Sequence, residues 1–70
     1  MDAVKELRSS INNSLKDASH YSDVANQLQG EDDYLSNVFR KIADNHLAAS
    51  KELMGSLEWY LTNKHETDEE

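Results

Sequence analysis

Apolar residues recur at alternating steps of four and three in two long stretches of this 70-residue chain. That spacing keeps them on one side of an α-helix. The first stretch predicts a helix over residues 3–28, and the second predicts a helix over residues 34–63. The seam of the first predicted helix comprises Val4, Leu7, Ile11, Ser14, Ala18, Tyr21, Ala25 and Leu28.

The second predicted helix carries two apolar rows. The row expected to face the first helix comprises Leu35, Phe39, Ile42, His46, Ala49, Leu53, Ser56 and Tyr60. The row beside it comprises Val38, Ala43, Leu47, Met54, Leu57 and Leu61. One partner helix covers a single row, so the pattern predicts packing against more than one helix.

The two stretches are separated by a glycine followed by acidic residues. Gly30 suits the left-handed conformation that closes a helix, and the acidic residues 31–33 offer a cap for the next one. We therefore expect a turn over residues 29–33 and two antiparallel neighbouring helices. Asp2 is the predicted N-cap of the first helix. Gly55 lies inside the second apolar pattern and predicts close packing or a mild kink.

The fold class that follows is an all-α, antiparallel two-helix hairpin over residues 1–64, with a flexible acidic tail over 65–70. A chain this short forms a small core, and without cysteine it has no disulfides. We expect it to form a homodimer, an antiparallel four-helix bundle. The expected interface residues are Val38, Phe39, Ile42, His46, Leu47, Leu53, Met54, Leu57, Trp59, Tyr60 and Leu61. Residues 59–61 are expected to close the open end over Val4 and Leu7.

The net charge of −7 argues against nucleic acid as a partner, because phosphate binding depends on clustered lysine and arginine. Anionic membrane surfaces are disfavoured for the same reason. The sequence contains no apolar run of membrane-spanning length and no visible signal peptide. We therefore expect a cytoplasmic protein that contacts neither nucleic acid nor membrane.

His46 is the residue most open to a chemical role. It lies at a seam position near small residues, where it is either a packed core histidine, a pH-responsive group or a metal ligand. No nucleophile–base constellation, phosphate-binding loop or dinucleotide fingerprint occurs in the sequence. We expect no enzymatic activity and no cofactor.

One segment resembles a known family. The run at residues 17–21, followed by Val24-Ala25 and then by the apolar residues of 35–53, is similar to one helix pair of ferritin-like proteins of the rubrerythrin type. The resemblance implies a four-helix architecture. In metal-binding members, the ligand positions correspond to Ser14, His46 and Ala49 of this chain, so three expected ligands are missing.

The predicted function is that of a small acidic, non-enzymatic helical protein that acts through helix–helix association. The association serves either self-assembly or the regulation of a protein partner. The alternative is a ferritin-like metal-binding or redox-related protein with a degenerate site at His46. Metal analysis of the protein purified without added metal separates the two.

Overall fold

The computed structural model describes the backbone of residues 2–68 and the side chains of residues 2–63. It contains two helices, α1 (Ala3–Leu28) and α2 (Asp33–Asp68), which pack against each other as a hairpin. The predicted all-α helical hairpin is confirmed. Helix α2 begins one residue earlier and ends five residues later than the predicted range of 34–63. The side chains of the predicted tail at 65–70 lie outside the described part.

The start of α1 is fixed by the predicted cap. Asp2 is extended, and its Oδ1 accepts hydrogen bonds from the backbone N–H groups of Val4 at 3.1 Å and Lys5 at 3.2 Å. These N–H groups have no carbonyl partner within the helix, so the carboxylate satisfies them. The acidic side chain also complements the positive end of the helix dipole.

The turn between the helices is closed from both sides. Gly30 has a φ of +89°, and the N–H groups of Glu31 and Asp32 donate to the carbonyl of Leu28 at 3.0 and 2.9 Å. Asp32 then caps α2 by accepting from the N–H of Leu35 at 3.0 Å. The carboxylate of Asp33 reaches back to the N–H of Gly30, also at 3.0 Å. These bonds satisfy several of the backbone groups that the two helix ends leave without a helical partner.

Small residues form the contact between the helices. Ala25 is completely buried, and the hydroxyl of Ser36 donates a 2.7 Å hydrogen bond to the Ala25 carbonyl across the seam. Counting residue for residue away from this bond along the two antiparallel helices places Ala18 opposite Ala43 and Ile11 opposite Ser50. All of these residues are buried. Small side chains allow the two backbones to lie close together.

The structure corrects the predicted seam of α2. The expected seam residues Leu35, Ala49 and Ser56 are exposed, whereas Ser36 and Ser50 are buried. The predicted row took Leu35, Ile42, Ala49 and Ser56, each one residue before the residue that packs in the seam, and it left out Ser36 and Ser50, whose side chains carry a hydroxyl. That hydroxyl is satisfied in both cases, since Ser50 donates to the Leu47 carbonyl one turn earlier at 2.7 Å. The observed seam of α2 is Ser36, Phe39, Ala43, His46, Ser50, Leu53, Leu57 and Tyr60.

The hairpin is a single layer, with principal dimensions of 60 × 19 × 11 Å. The register places the first residue of α1, Ala3, opposite Glu58 of α2. Helix α2 is longer than α1, so its C-terminal turns extend beyond the start of α1. Globular domains bury their apolar faces between two or more layers, and this chain supplies one.

Gly55 does not interrupt α2. The helix continues through it to Asp68, and a Cβ atom added at Gly55 would meet no atom of the chain within 4 Å. The predicted close packing at Gly55 is therefore wrong within the hairpin. The position faces open space on the outer side of the helix.

Candidate interaction surfaces

The two broad sides of the layer differ in composition. We assign heptad letters with Val4 and Ser36 at position a, which places Leu7 and Phe39 at position d. On a helix, position g lies beside d, and position e lies beside a. The d and g positions of both helices form one side of the layer, which we call the aromatic face. The e positions, with the neighbouring b positions, form the other side, which we call the mixed face.

The aromatic face is built around Tyr21. Its ring stacks on Phe39, with ring centroids 6.0 Å apart and planes 14° apart, and on His46, with 5.6 Å and 9°. His20 meets the edge of the same ring at 5.1 Å. These near-parallel, offset contacts are favourable aromatic geometries. All three stacked rings are only half-buried, so the cluster is packed within the layer and still faces outward.

A shallow apolar groove continues the aromatic face at the open end of the hairpin. It is lined by Ala3, Val4, Leu7, Ser56 and Tyr60. The predicted approach of Tyr60 to Val4 and Leu7 is confirmed. The prediction is wrong for its neighbour in sequence, Trp59, which is 67% exposed. The reason is its direction on the helix, because Trp59 lies at position c, on the outer edge of α2 away from α1.

The mixed face divides into an apolar half and a polar half. Near the turn it carries a polar groove, where the Arg40 guanidinium donates to the Asn26 side-chain carbonyl at 3.4 Å. Towards the open end it carries four partly exposed apolar side chains: Leu15, Leu47, Met54 and Leu61. Lys5, Arg8 and Lys51 occupy e and b positions around these side chains, together with Glu58.

The structure distributes the predicted interface residues over both faces. The aromatic face holds Phe39, Ile42, His46, Leu53 and Tyr60, with Val38 and Trp59 at position c on its outer edge. Three others, Leu47, Met54 and Leu61, belong to the mixed face. Leu57 lies in the seam between the helices and is half-buried. No single flat partner could contact all eleven residues, so the predicted interface divides into two separate surfaces.

His46 has an aromatic environment that the sequence did not predict. Its ring lies against Tyr21, and Ala49, predicted as a seam neighbour, is exposed. Among residues 2–63, no three His, Cys, Asp or Glu side chains converge as a metal site would require. The pH-responsive and metal-binding roles of His46 stay predictions.

Sequence reasoning missed Ser36 and Ser50 as seam residues and Tyr21 as part of the exposed aromatic cluster. A signal for the serines was present. From Ser36 onward, α2 keeps a three-four alternation like that of α1, and small residues recur at seven-residue spacing, at Ala18 and Ala25 of α1 and at Ser36, Ala43 and Ser50 of α2. The exposure of Tyr21 had no such signal, because it depends on which side of the layer each seam residue faces.

Within the described chain, neither helix is long and apolar enough to cross a membrane. No family model matches this chain, and no curated protein or solved structure matches it significantly. The interpretation of its function therefore rests on the two faces of the hairpin, and the resemblance to the rubrerythrin type stays a prediction.

Proposed function

We propose that this is a small acidic, non-enzymatic protein that acts through helix–helix association, with a second copy of itself as the partner. The observation that carries the proposal is the composition of the core. Among the described residues, the buried hydrophobic side chains are Ile11 and three alanines, Ala18, Ala25 and Ala43. The larger apolar side chains are half-buried or exposed on the two faces of the layer. Hydrophobic stabilisation scales with the apolar area removed from water, so a core of one isoleucine and three alanines supplies little.

The accessible surface supports the same proposal. The chain exposes 5483 Å² for a mass of 8.0 kDa. A compact monomer of that mass is expected to expose about 4,450 Å². The excess of about 1,000 Å² per chain is comparable with the area of about 800 Å² that each partner buries in a standard protein–protein interface.

The grooves of the hairpin support a binding role over a catalytic one. In residues 2–63, the best-formed grooves are open furrows along the helix surfaces. Catalytic sites commonly lie in concave pockets that exclude water, where electrostatic interactions are strong. An apolar furrow between helices instead suits the side chains of another helix.

Light scattering coupled to size exclusion tests the proposal. We expect a mass of twice 8.0 kDa over a dilution series from high to low micromolar. Circular dichroism measured on the same samples should show high helicity. A mass of 8.0 kDa throughout the series, with the helicity unchanged, would overturn self-association and direct attention to a different protein as the partner.

A further inference from the structure

We infer that the aromatic face is the surface on which the second copy docks. The aromatic faces of the two chains would pack against each other across a two-fold axis. The inference rests on the proposed self-association and specifies which of the two apolar surfaces mediates it. The mixed face then stays on the outside of the four-helix assembly.

The side chains of the aromatic face are of the size and kind that protein interfaces favour. At its d positions the aromatic face presents Leu7, Ser14, Tyr21, Leu28, Phe39, His46, Leu53 and Tyr60. Tyrosine and phenylalanine are enriched in protein interfaces because they bury much area and lose little conformational entropy. The face runs continuously from the turn to the open end. The mixed face is apolar over only half of its length, since the groove near its turn end is lined by polar side chains such as Asn26 and Arg40.

Charged residues are distributed unevenly between the two faces. Within residues 3–63, the d and g positions of the helices carry one charged residue, Asp17. The e positions carry Arg8, Asp33 and Arg40, and the b positions add two lysines and two acids. Moving charges out of water is unfavourable unless each charge finds a partner. Covering the aromatic face therefore removes far less charge from water than covering the mixed face does.

The ring cluster of the aromatic face is incompletely buried in a single chain. Tyr21, Phe39 and His46 are already stacked within one chain, so their positions are fixed before association. A preorganised apolar surface loses less entropy on binding than a flexible one does. The half-exposed faces of these rings are the area that a second aromatic face can cover.

Two leucines on α2 give a matched test. Leu35 at position g of the aromatic face and Leu47 at position e of the mixed face are each 40% exposed. We expect Leu35→Glu to raise the dissociation constant of the dimer about tenfold or more, since a buried carboxylate would face the partner. Leu47→Glu should leave the constant within about threefold, because the new charge stays in water. Mass in a dilution series measures both, with helicity as the check that each variant folds.

A second pair of variants, at the open end, provides the test if Leu35→Glu loses its helicity. Tyr60 and Leu61 are adjacent in sequence, 43% and 38% exposed, and lie on opposite faces. Tyr60→Glu should weaken the dimer, and Leu61→Glu should not.

The outcomes separate the two levels of the inference. A monomeric wild-type chain overturns the proposed function itself. A dimeric wild type that is weakened by the mixed-face variants, by variants of both faces or by none of them overturns the assignment of the aromatic face and leaves self-association intact.

Discussion

The turn end and the open end of the hairpin are held together by different means. At the turn end, hydrogen bonds specify the structure, from the paired caps of Asp32 and Asp33 to the bond between Ser36 and the Ala25 carbonyl. At the open end, Tyr60 borders a shallow groove and the side chain of Trp59 is largely exposed. Hydrogen bonds are directional, so the turn end is specified within one chain. The open end depends on apolar area that a single chain leaves uncovered.

Overpacking the seam at the turn end should have the largest effect. Ala25 is fully buried, so Ala25→Leu should lower the free energy of unfolding by about 3 kcal/mol because the helices must separate to admit the larger side chain. Ala48→Leu is the matched control, since Ala48 is exposed, and it should change stability by less than about 0.5 kcal/mol. Denaturant titrations at one fixed chain concentration measure both. Equal stabilities of the two variants would contradict the close seam.

The glycine of the turn should come next. Gly30 has a φ of +89° and open space around it, so Gly30→Ala tests backbone conformation alone. We expect a loss of about 1–2 kcal/mol, the cost of the left-handed conformation for a residue with a Cβ. Gly30→Asn should cost less, because asparagine adopts this conformation more readily. Thermal unfolding of the two variants gives the comparison, and an asparagine variant no more stable than the alanine variant would argue against the conformational explanation.

The two helix caps compare the ends of the hairpin directly. Asp32→Ala removes the side-chain acceptor of the Leu35 N–H and should cost about 1 kcal/mol. Asp2→Ala removes the corresponding bonds at the open end, and we expect a smaller loss, since the first turn of α1 can fray without disturbing the seam. Unfolding curves of both variants measure the difference, with Asp32→Asn as the control that keeps an acceptor. A larger loss at Asp2 would reverse the comparison between the ends.

A substitution in the open half should stabilise the protein. Gly55 lies in the helix interior with no neighbouring atom in the way, so Gly55→Ala should add about 0.8 kcal/mol to the free energy of unfolding. The gain comes from the helix propensity of alanine and should appear in the midpoint of a denaturant titration. Lower stability, or a smaller mass in solution, would mean that a second chain passes close to Gly55.

The sequence predicted the hairpin, its turn and the whole seam of α1, because those features depend on local signals. Asp2, Gly30 and the alternating residues of α1 act over distances of a few residues. The predicted seam of α2 differs from the observed seam by one residue at every second position. Hydrophobic periodicity alone left this choice open, because the row through Leu35 and the row through Ser36 both alternate by four and three. Ser36 and Ser50 satisfy their hydroxyls with backbone carbonyls and pack like small apolar residues.

The division of the candidate interface into two faces could not be predicted in the same way. Neighbouring residues are separated by about 100° around a helix, so an error of one residue moves a side chain from one face to the other. Tyr60 and Leu61 illustrate this, because both are apolar and partly exposed, yet they belong to opposite sides of the layer. Assigning them required the register that the bond between Ser36 and Ala25 sets.

The seven-residue repeat of the seam also makes the length of the hairpin adjustable. Removing seven residues from α1 and the seven residues facing them in α2 would delete one heptad from each side of the seam and shorten the hairpin by about 10 Å. Every remaining seam residue would keep its partner on the other helix, including the pair formed by Ala25 and Ser36. A single-residue insertion in either helix would instead rotate everything beyond it out of register. In this architecture, the chain can be lengthened or shortened by whole heptads, provided that one heptad is added to or removed from each helix at the same time.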